Sequence, residues 1–323
     1  MVNNLVFAGT PRFAVPTLER LVETGFAVRL VVTQPDKPRG RGMELAASPV
    51  KQAALKLGLD VAQPDKIKSN EQFRQQLMAL EPAAIIVVGF GRILPQWMID
   101  LPRFGNLNVH ASLLPKYRGA APIQWAIAEG EAITGVTIMR INAGLDTGDI
   151  LQQRELAIGS DDTSETLAPR LAEIGAELMV EVLQGLEAGT VTNTPQDHTR
   201  ATLAPILTKQ DGHIDFHRPA SEIRNRLRGF QPWPGAFTTF RGKNLHVWAA
   251  KVVPQGIVPQ NASQDLKPGE LRSEGELVLV GCGAQSALEL LEVQVEGKKR
   301  MAARDFVNGY RPFAGERLGE HST

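Results

Sequence analysis

A single cysteine, Cys282, stands in the 323-residue chain. One thiol excludes an intrachain disulfide framework and a cysteine-based zinc site, and a reducing, cytoplasmic compartment is expected. Long apolar runs are also lacking. The longest, 83–90, is far too short to span a bilayer. Residues 1–10 have no basic region ahead of an apolar one, so 2–7 read as a first strand rather than a signal peptide. Neither charge is in excess, with 35 Lys+Arg against 35 Asp+Glu, which argues against a chain that coats nucleic acid non-specifically. No internal repeat or low-complexity tract occurs. The G-x-G-x-x-G turn of a dinucleotide site is missing after the first strand, where Phe7-Ala8-Gly9-Thr10-Pro11 stands instead.

What is present suits a two-domain globular protein. Strand and helix signals alternate along the first half. Strands are expected over 5–10, 27–33, 83–89, 105–110 and 134–141, with helices over 16–23, 48–57, 70–80 and 122–129. Ser48 followed by Pro49 has the form of an N-cap and first helical residue. This alternation implies a doubly wound, mostly parallel, Rossmann-like sheet, whose site lies beyond the carboxyl ends of the strands. Asp162-Thr163-Ser164-Glu165 has capping-box spacing and opens a helix to about 186, which Pro169 either bends or shortens. Periodicity is lost after 189, and short strand-like runs recur at 236–240, 245–253, 276–280 and 287–295, with a hairpin signal at Gly242-Lys243-Asn244. The expected division is a catalytic domain over 1–189, a linker over 190–207, a smaller OB-like β-barrel over 208–316 and a tail over 317–323. Residues 208–323 hold 16 Lys+Arg against 13 Asp+Glu, so the second half is slightly basic and the first slightly acidic.

The chemistry is concentrated in two stretches. Asn108-Val109-His110-Ala111-Ser112-Leu113-Leu114-Pro115 puts Asn108 and His110 on one face of a strand end. Gly144-Leu145-Asp146-Thr147-Gly148-Asp149 is a Gly-rich loop with a carboxylate able to return to the imidazole. An amide, an imidazole and a carboxylate that converge there supply an oxyanion donor, a proton carrier and its orienter. Either residue of the first pair alone would be read more plainly, Asn108 as a turn residue and His110 as a core histidine. The continuous block 105–151 resembles the folate-dependent formyltransferases. Asn142 and Ala143 ahead of the loop depart from that family's pattern.

The resemblance implies Asn108, His110 and Asp146 as catalytic residues and 10-formyltetrahydrofolate as co-substrate, with neither metal nor nicotinamide. It carries Ser112, Leu113, Leu114 and Pro115 to the folate site. Phe90, Gly91 and Ile93 join them through Gly89-Phe90-Gly91-Arg92-Ile93-Leu94-Pro95, which also reads as an ordinary strand-to-helix turn. Within the family the chain is most similar to members that formylate methionyl-initiator tRNA. The long loop Gln34-Pro35-Asp36-Lys37-Pro38-Arg39-Gly40-Arg41-Gly42 matches their basic insertion, so Arg41, Arg39 and Lys37 are expected on the acceptor stem, with Thr10 near the aminoacyl end and Lys209 as a phosphate contact. Composition alone would make that loop a solvated surface. Arg224, Arg226 and Arg228 form a modest cationic stripe or a solvated helix face, and Trp233 in Pro232-Trp233-Pro234-Gly235 is expected to pack inside. His213, Asp215 and His217 alternate but lack the further ligands a metal needs. A monomer without membrane contact is expected. The alternatives are a sugar-nucleotide N-formyltransferase and a non-catalytic tRNA-binding relative.

Overall fold

The computed structural model describes residues 4–39, 44–254, 266–275 and 277–319. Contacts divide the chain into two compact units. The first comprises Met1–Pro122, Ile133–Ala157 and Leu167–Pro205, the second Ile123–Ala132, Ile158–Thr166 and Ile206–Thr323.

In chain order the first half contains β1 (Leu5–Gly9), α1 (Val15–Glu23), β2 (Val28–Val32), β3 (Lys37–Arg39), β4 (Glu44–Ala46), α2 (Pro49–Lys56), β5 (Val61–Ala62), α3 (Glu71–Ala79), β6 (Ala84–Val88), α4 (Gln96–Ile99), β7 (Asn106–His110), β8 (Arg118–Gly119), α5 (Pro122–Ala128), β9 (Ile133–Arg140), β10 (Ile150–Ala157), α6 (Ser164–Ala188) and β11 (Leu203–Ala204). Side-chain caps begin several helices. Ser48 Oγ accepts from Lys51 N at 3.1 Å with Pro49 behind it, and Asn70 Oδ1 accepts from Phe73 N at 3.0 Å. At α6 the cap falls one residue later than the spacing predicts. Thr163 and Thr166 exchange backbone-to-hydroxyl bonds there, while Asp162 holds Gly159 N. Pro169 lies inside α6 without ending it.

The sheet of the first unit has seven strands in the order β10-β9-β7-β6-β1-β2-β5. From β7 to β5 the strands are parallel, whereas β9 runs antiparallel to β7 and β10 antiparallel to β9. The fifth expected strand therefore has the opposite direction to the one that simple alternation implies. Direction is set by where the connecting chain returns, which a hydrophobic pattern does not encode. β10 escapes the pattern because it is a half-exposed edge strand with a polar sequence. One face of the sheet buries Val6, Ala8, Leu30, Val32, Ile85 and Val87 against Phe73, Leu77 and Met98. Burial stabilises each such large side chain by about 1.5–3 kcal/mol. The strand order reverses at β1, which has β2 on one side and β6 on the other. A ligand crevice forms at such a switch point, beyond the carboxyl ends.

The second unit contains α7 (Ala220–Gly229), β12 (Ala236–Phe240), β13 (Lys243–Val252), β14 (Leu271–Glu274), β15 (Leu277–Cys282), β16 (Ser286–Val295), β17 (Met301–Ala302) and α8 (Ala303–Tyr310). Its antiparallel sheet has the order β12-β13-β16-β15-β14, with β17 on β16. The β12–β13 turn is made by Arg241 and Gly242, both left-handed at φ 48° and 74°, the form that matches strand twist. Residues 316–319 connect the two sheet edges through Leu271 N to Glu316 O at 2.8 Å and Gly319 N to Thr239 O at 2.9 Å. Leu318 is buried in this core, inside the stretch expected as tail. Burial pushes the Cys282 thiol up to about 12, so it stays protonated. Among the described residues no helix is long and apolar enough to cross a membrane.

Candidate active site

β7 presents Asn106, Asn108 and His110 on one face, at every second residue. Asn106 is buried and donates to the carbonyls of Met98 and Ile99 at 3.1 and 2.9 Å, fastening the end of α4. Asn108 is half-buried, and its amide makes no hydrogen bond among the described residues. His110, at the carboxyl end, is buried. Its Nε2 lies 2.9 Å from the carbonyl oxygen of Tyr117. A carbonyl only accepts, so Nε2 carries a proton and the neutral ring keeps its lone pair on Nδ1. Nδ1 faces Asp146 Oδ2 at 3.7 Å.

The loop bearing Asp146 leaves β9 near the amino end of β7, since Arg140 pairs with Leu107. It nevertheless folds back to the imidazole. Asn142 explains part of this path, because its Oδ1 accepts from Gly144 N at 3.0 Å and Thr147 Oγ1 at 2.8 Å. Asn142 thus caps the loop. Asp146 has a left-handed backbone (φ 49°), a conformation aspartate tolerates better than most residues. Its Oδ2 accepts from Gly119 N at 2.8 Å. Tyr117, Gly119 and the residues that hold them were not singled out by the sequence, because their contributions are backbone groups.

The segment Ser112–Pro115 that follows His110 forms a self-bonded turn, with residues 112 and 114 buried. Ser112 Oγ donates to Lys116 O at 2.6 Å, Thr137 Oγ1 donates to Ser112 O at 2.6 Å, and Leu114 N donates to Thr137 Oγ1 at 3.1 Å. Ser112 and Leu114 therefore shape the loop, and Leu113 and Pro115, both half-buried, offer its surface. Across the switch point, Thr10 Oγ1 donates to Phe90 O at 3.2 Å, and Gln34 Nε2 donates to the same carbonyl at 2.9 Å. Phe90 is buried under this turn, while Gly91 is exposed and left-handed (φ 70°). Ile93 is 94% exposed.

Lys37 is exposed and donates to Gln34 Oε1 at 3.0 Å, which links the β3–β4 hairpin to that turn. Lys51 holds the Asp36 carboxyl below its ordinary range through a 2.6 Å bond. The backbone of Arg39 lies in β3, and Arg41 lies outside the described residues. Lys209 belongs to the second unit, where its ammonium lies 5.9 Å from the Phe237 ring centre. The arginines of α7 are bound internally rather than forming a free stripe. Arg224 pairs with Asp161 at 2.6 Å, Arg226 lies over Trp125 and Phe230, and Arg228 is buried with a 2.7 Å bond to Asp162 O. Trp233, expected inside, is 56% exposed.

Residues 2–183 match the model for formyl transferases, and residues 206–311 match that for the formyl transferase C-terminal domain. The chain belongs to the formyltransferase family. Among its relatives, the methionyl-tRNA formyltransferase of Koribacter versatilis is 66% identical over 319 residues, 99% of each chain. That of Acidobacterium capsulatum is 57% identical over 315 residues, 98% of this chain and 99% of the relative. Solved formyltransferase-fold structures agree in fold. An N-formyltransferase from Helicobacter canadensis, in complex with folinic acid and dTDP-3-aminofucose, has a TM-score of 0.64 at 19% identity, covering 90% of this chain and 99% of that one. HypX from Aquifex aeolicus, in complex with tetrahydrofolic acid, has a TM-score of 0.58 at 16% identity, covering 98% and 50%. Members of this family use folate-derived formyl donors.

Proposed function

We propose that this chain transfers the formyl group of 10-formyltetrahydrofolate to the α-amine of methionine esterified to initiator tRNA. The products are N-formylmethionyl-tRNA for translation initiation and tetrahydrofolate. The observation that carries the reading is the approach of His110 Nδ1 to Asp146 Oδ2 at 3.7 Å, beside an unengaged Asn108 amide. It stands in a chain that aligns end to end with methionyl-tRNA formyltransferases. The exposed Gly91 and Ile93 and the surface of Leu113 and Pro115 suit the pterin of the donor, which supplies an activated formyl carbon.

An α-amino group has a pKa near ~7.7–8.0, and esterification lowers it, so much of the nucleophile is already neutral near pH 7. The amine adds to the formyl carbon to give a tetrahedral oxyanion, which collapses as the bond to N10 breaks, and one proton must travel from the amine to N10. Asn108 donates to the formyl oxygen as it gains charge, an effect worth about 2.7–4 kcal/mol per donor in comparable sites. His110 takes the amine proton on Nδ1 and returns it toward N10, directly or through water. Asp146, its oxygen fixed by Gly119 N, faces the imidazolium while that charge exists. Lys37, Arg39, Arg41, Thr10 and Lys209 contact the tRNA in this proposal. The expected setting is a cytoplasmic monomer, with a catalytic domain over 1–189 joined through 190–207 to a tRNA-binding domain over 208–316.

The test is incubation with formyl-labelled 10-formyltetrahydrofolate and charged initiator or elongator methionyl-tRNA. Label should enter initiator methionyl-tRNA, and an amino-sugar nucleotide formylated faster than either RNA would overturn the reading.

A further inference from the structure

Between 192 and 200 every residue is exposed except one, and that one is polar. Gln196 is 6% exposed and uses its full bonding capacity. Its Nε2 donates to Asp146 O at 2.9 Å and Gly148 O at 2.7 Å. Its Oε1 accepts from Arg118 Nε at 3.1 Å and Nη2 at 2.6 Å. Arg118, also buried, precedes Gly119, whose N–H holds the Asp146 carboxylate.

The surrounding stretch is fixed at both ends. Thr194 exchanges backbone bonds with Ile150, and β11 pairs in parallel with β8. An exposed strap with no apolar anchor has little reason to bury an amide, whose desolvation is costly unless every bond is made. Here each bond ends on Arg118 or on the loop that carries the proposed catalytic carboxylate.

We infer that Gln196 is a positioning residue for Asp146. It fixes the left-handed backbone at 146 from one side while Gly119 fixes the carboxylate from the other, with Arg118 joining the two. The inference rests on the proposed catalytic role of Asp146. Displacement of a reacting group by about 1 Å can cost on the order of 100-fold in rate.

The experiment compares wild type, Gln196→Ala, Asp146→Asn and the double variant in formyl transfer to methionyl-tRNA. Hydrogen–deuterium exchange over 142–149 and thermal melting are followed alongside. Gln196→Ala should lower kcat by about 10- to 100-fold with KM for both substrates within about twofold. It should also speed exchange over 142–149 and keep a cooperative melt. In the double variant the loss should stay within about twofold of Asp146→Asn alone, because one group acts through the other. Losses that multiply, or an unchanged kcat, would overturn the inference. Should Gln196→Ala not fold, Gln196→Met of similar volume replaces it, and failure of both to fold would overturn a positioning role. Wild-type protein without formyl transfer would instead sink the functional reading, while accelerated exchange would still reveal the clamp.

Discussion

His110 and Asp146 face each other at 3.7 Å, yet each has its hydrogen bond elsewhere: the imidazole with Tyr117 O, the carboxylate with Gly119 N. The ring is oriented by a backbone carbonyl, so the carboxylate need not orient it and is left to respond to its charge.

Asp146→Asn isolates that response. An asparagine oxygen can still accept from Gly119 N, so the loop should hold its course while the negative charge is lost. Single-turnover formyl transfer should slow by about 100- to 1,000-fold, the scale of losing one electrostatic contributor to a transition state. Folinic acid binding should be retained. Near-normal turnover would remove Asp146 from the mechanism.

Asn108→Ala removes a donor that has no structural partner among the described residues. Its cost should fall on kcat, again by about 100- to 1,000-fold. The melting temperature should barely move. By contrast Asn106→Ala, two residues away, should destabilise the protein, because it frees one buried and one part-buried carbonyl at the end of α4. If Asn108→Ala melted much earlier and turned over normally, the two roles would have been exchanged.

Gly119→Ala tests the backbone that holds the carboxylate. At φ 124° a Cβ there would lie 2.6 Å from Ala204 O, on the neighbouring strand. The strap or the glycine must then shift, moving the N–H from Asp146. Lower kcat, by about 10- to 100-fold, and a lower melting point are expected together. Unchanged rates would show that Gly119 N contributes nothing to catalysis.

Glu316 gives a pH-dependent prediction in the second unit. The Arg241 guanidinium, bonded to it at 2.7 and 2.8 Å, holds this buried carboxyl below its ordinary value of 4.5. A depressed native pKa adds stability above the unfolded value, and that stability is lost as pH falls through the native one. Glu316→Gln should therefore melt about 2–4 °C lower near neutrality. The gap should close as pH drops below 4.5. A gap that persisted in acid would make the loss one of packing rather than charge.

Arg228→Met tests whether the arginines of α7 are internal. Removing the guanidinium takes away its 2.7 Å hydrogen bond to Asp162 O, and about 1–3 kcal/mol should be lost in denaturant unfolding. The salt dependence of tRNA binding should match wild type, since counterion release reports phosphate contacts. A shallower slope would return Arg228 to the RNA surface.

The linear chain was sufficient for whatever depends on local chemistry. Period-two and period-3.6 patterns located most strands and helices, Ser48-Pro49 marked a helix start, and Asn108, His110 and Asp146 could be proposed because a reaction needs those functional groups. Tertiary structure alone decided the direction of β9, the burial of Ser112 and Leu114, and the internal engagement of Arg224, Arg226 and Arg228. It also brought Tyr117 O, Gly119 N and Gln196 to the site. The reason is physical: a backbone carbonyl or amide has the same chemistry at every position, and only folding determines which of them ends up beside an imidazole or a carboxylate.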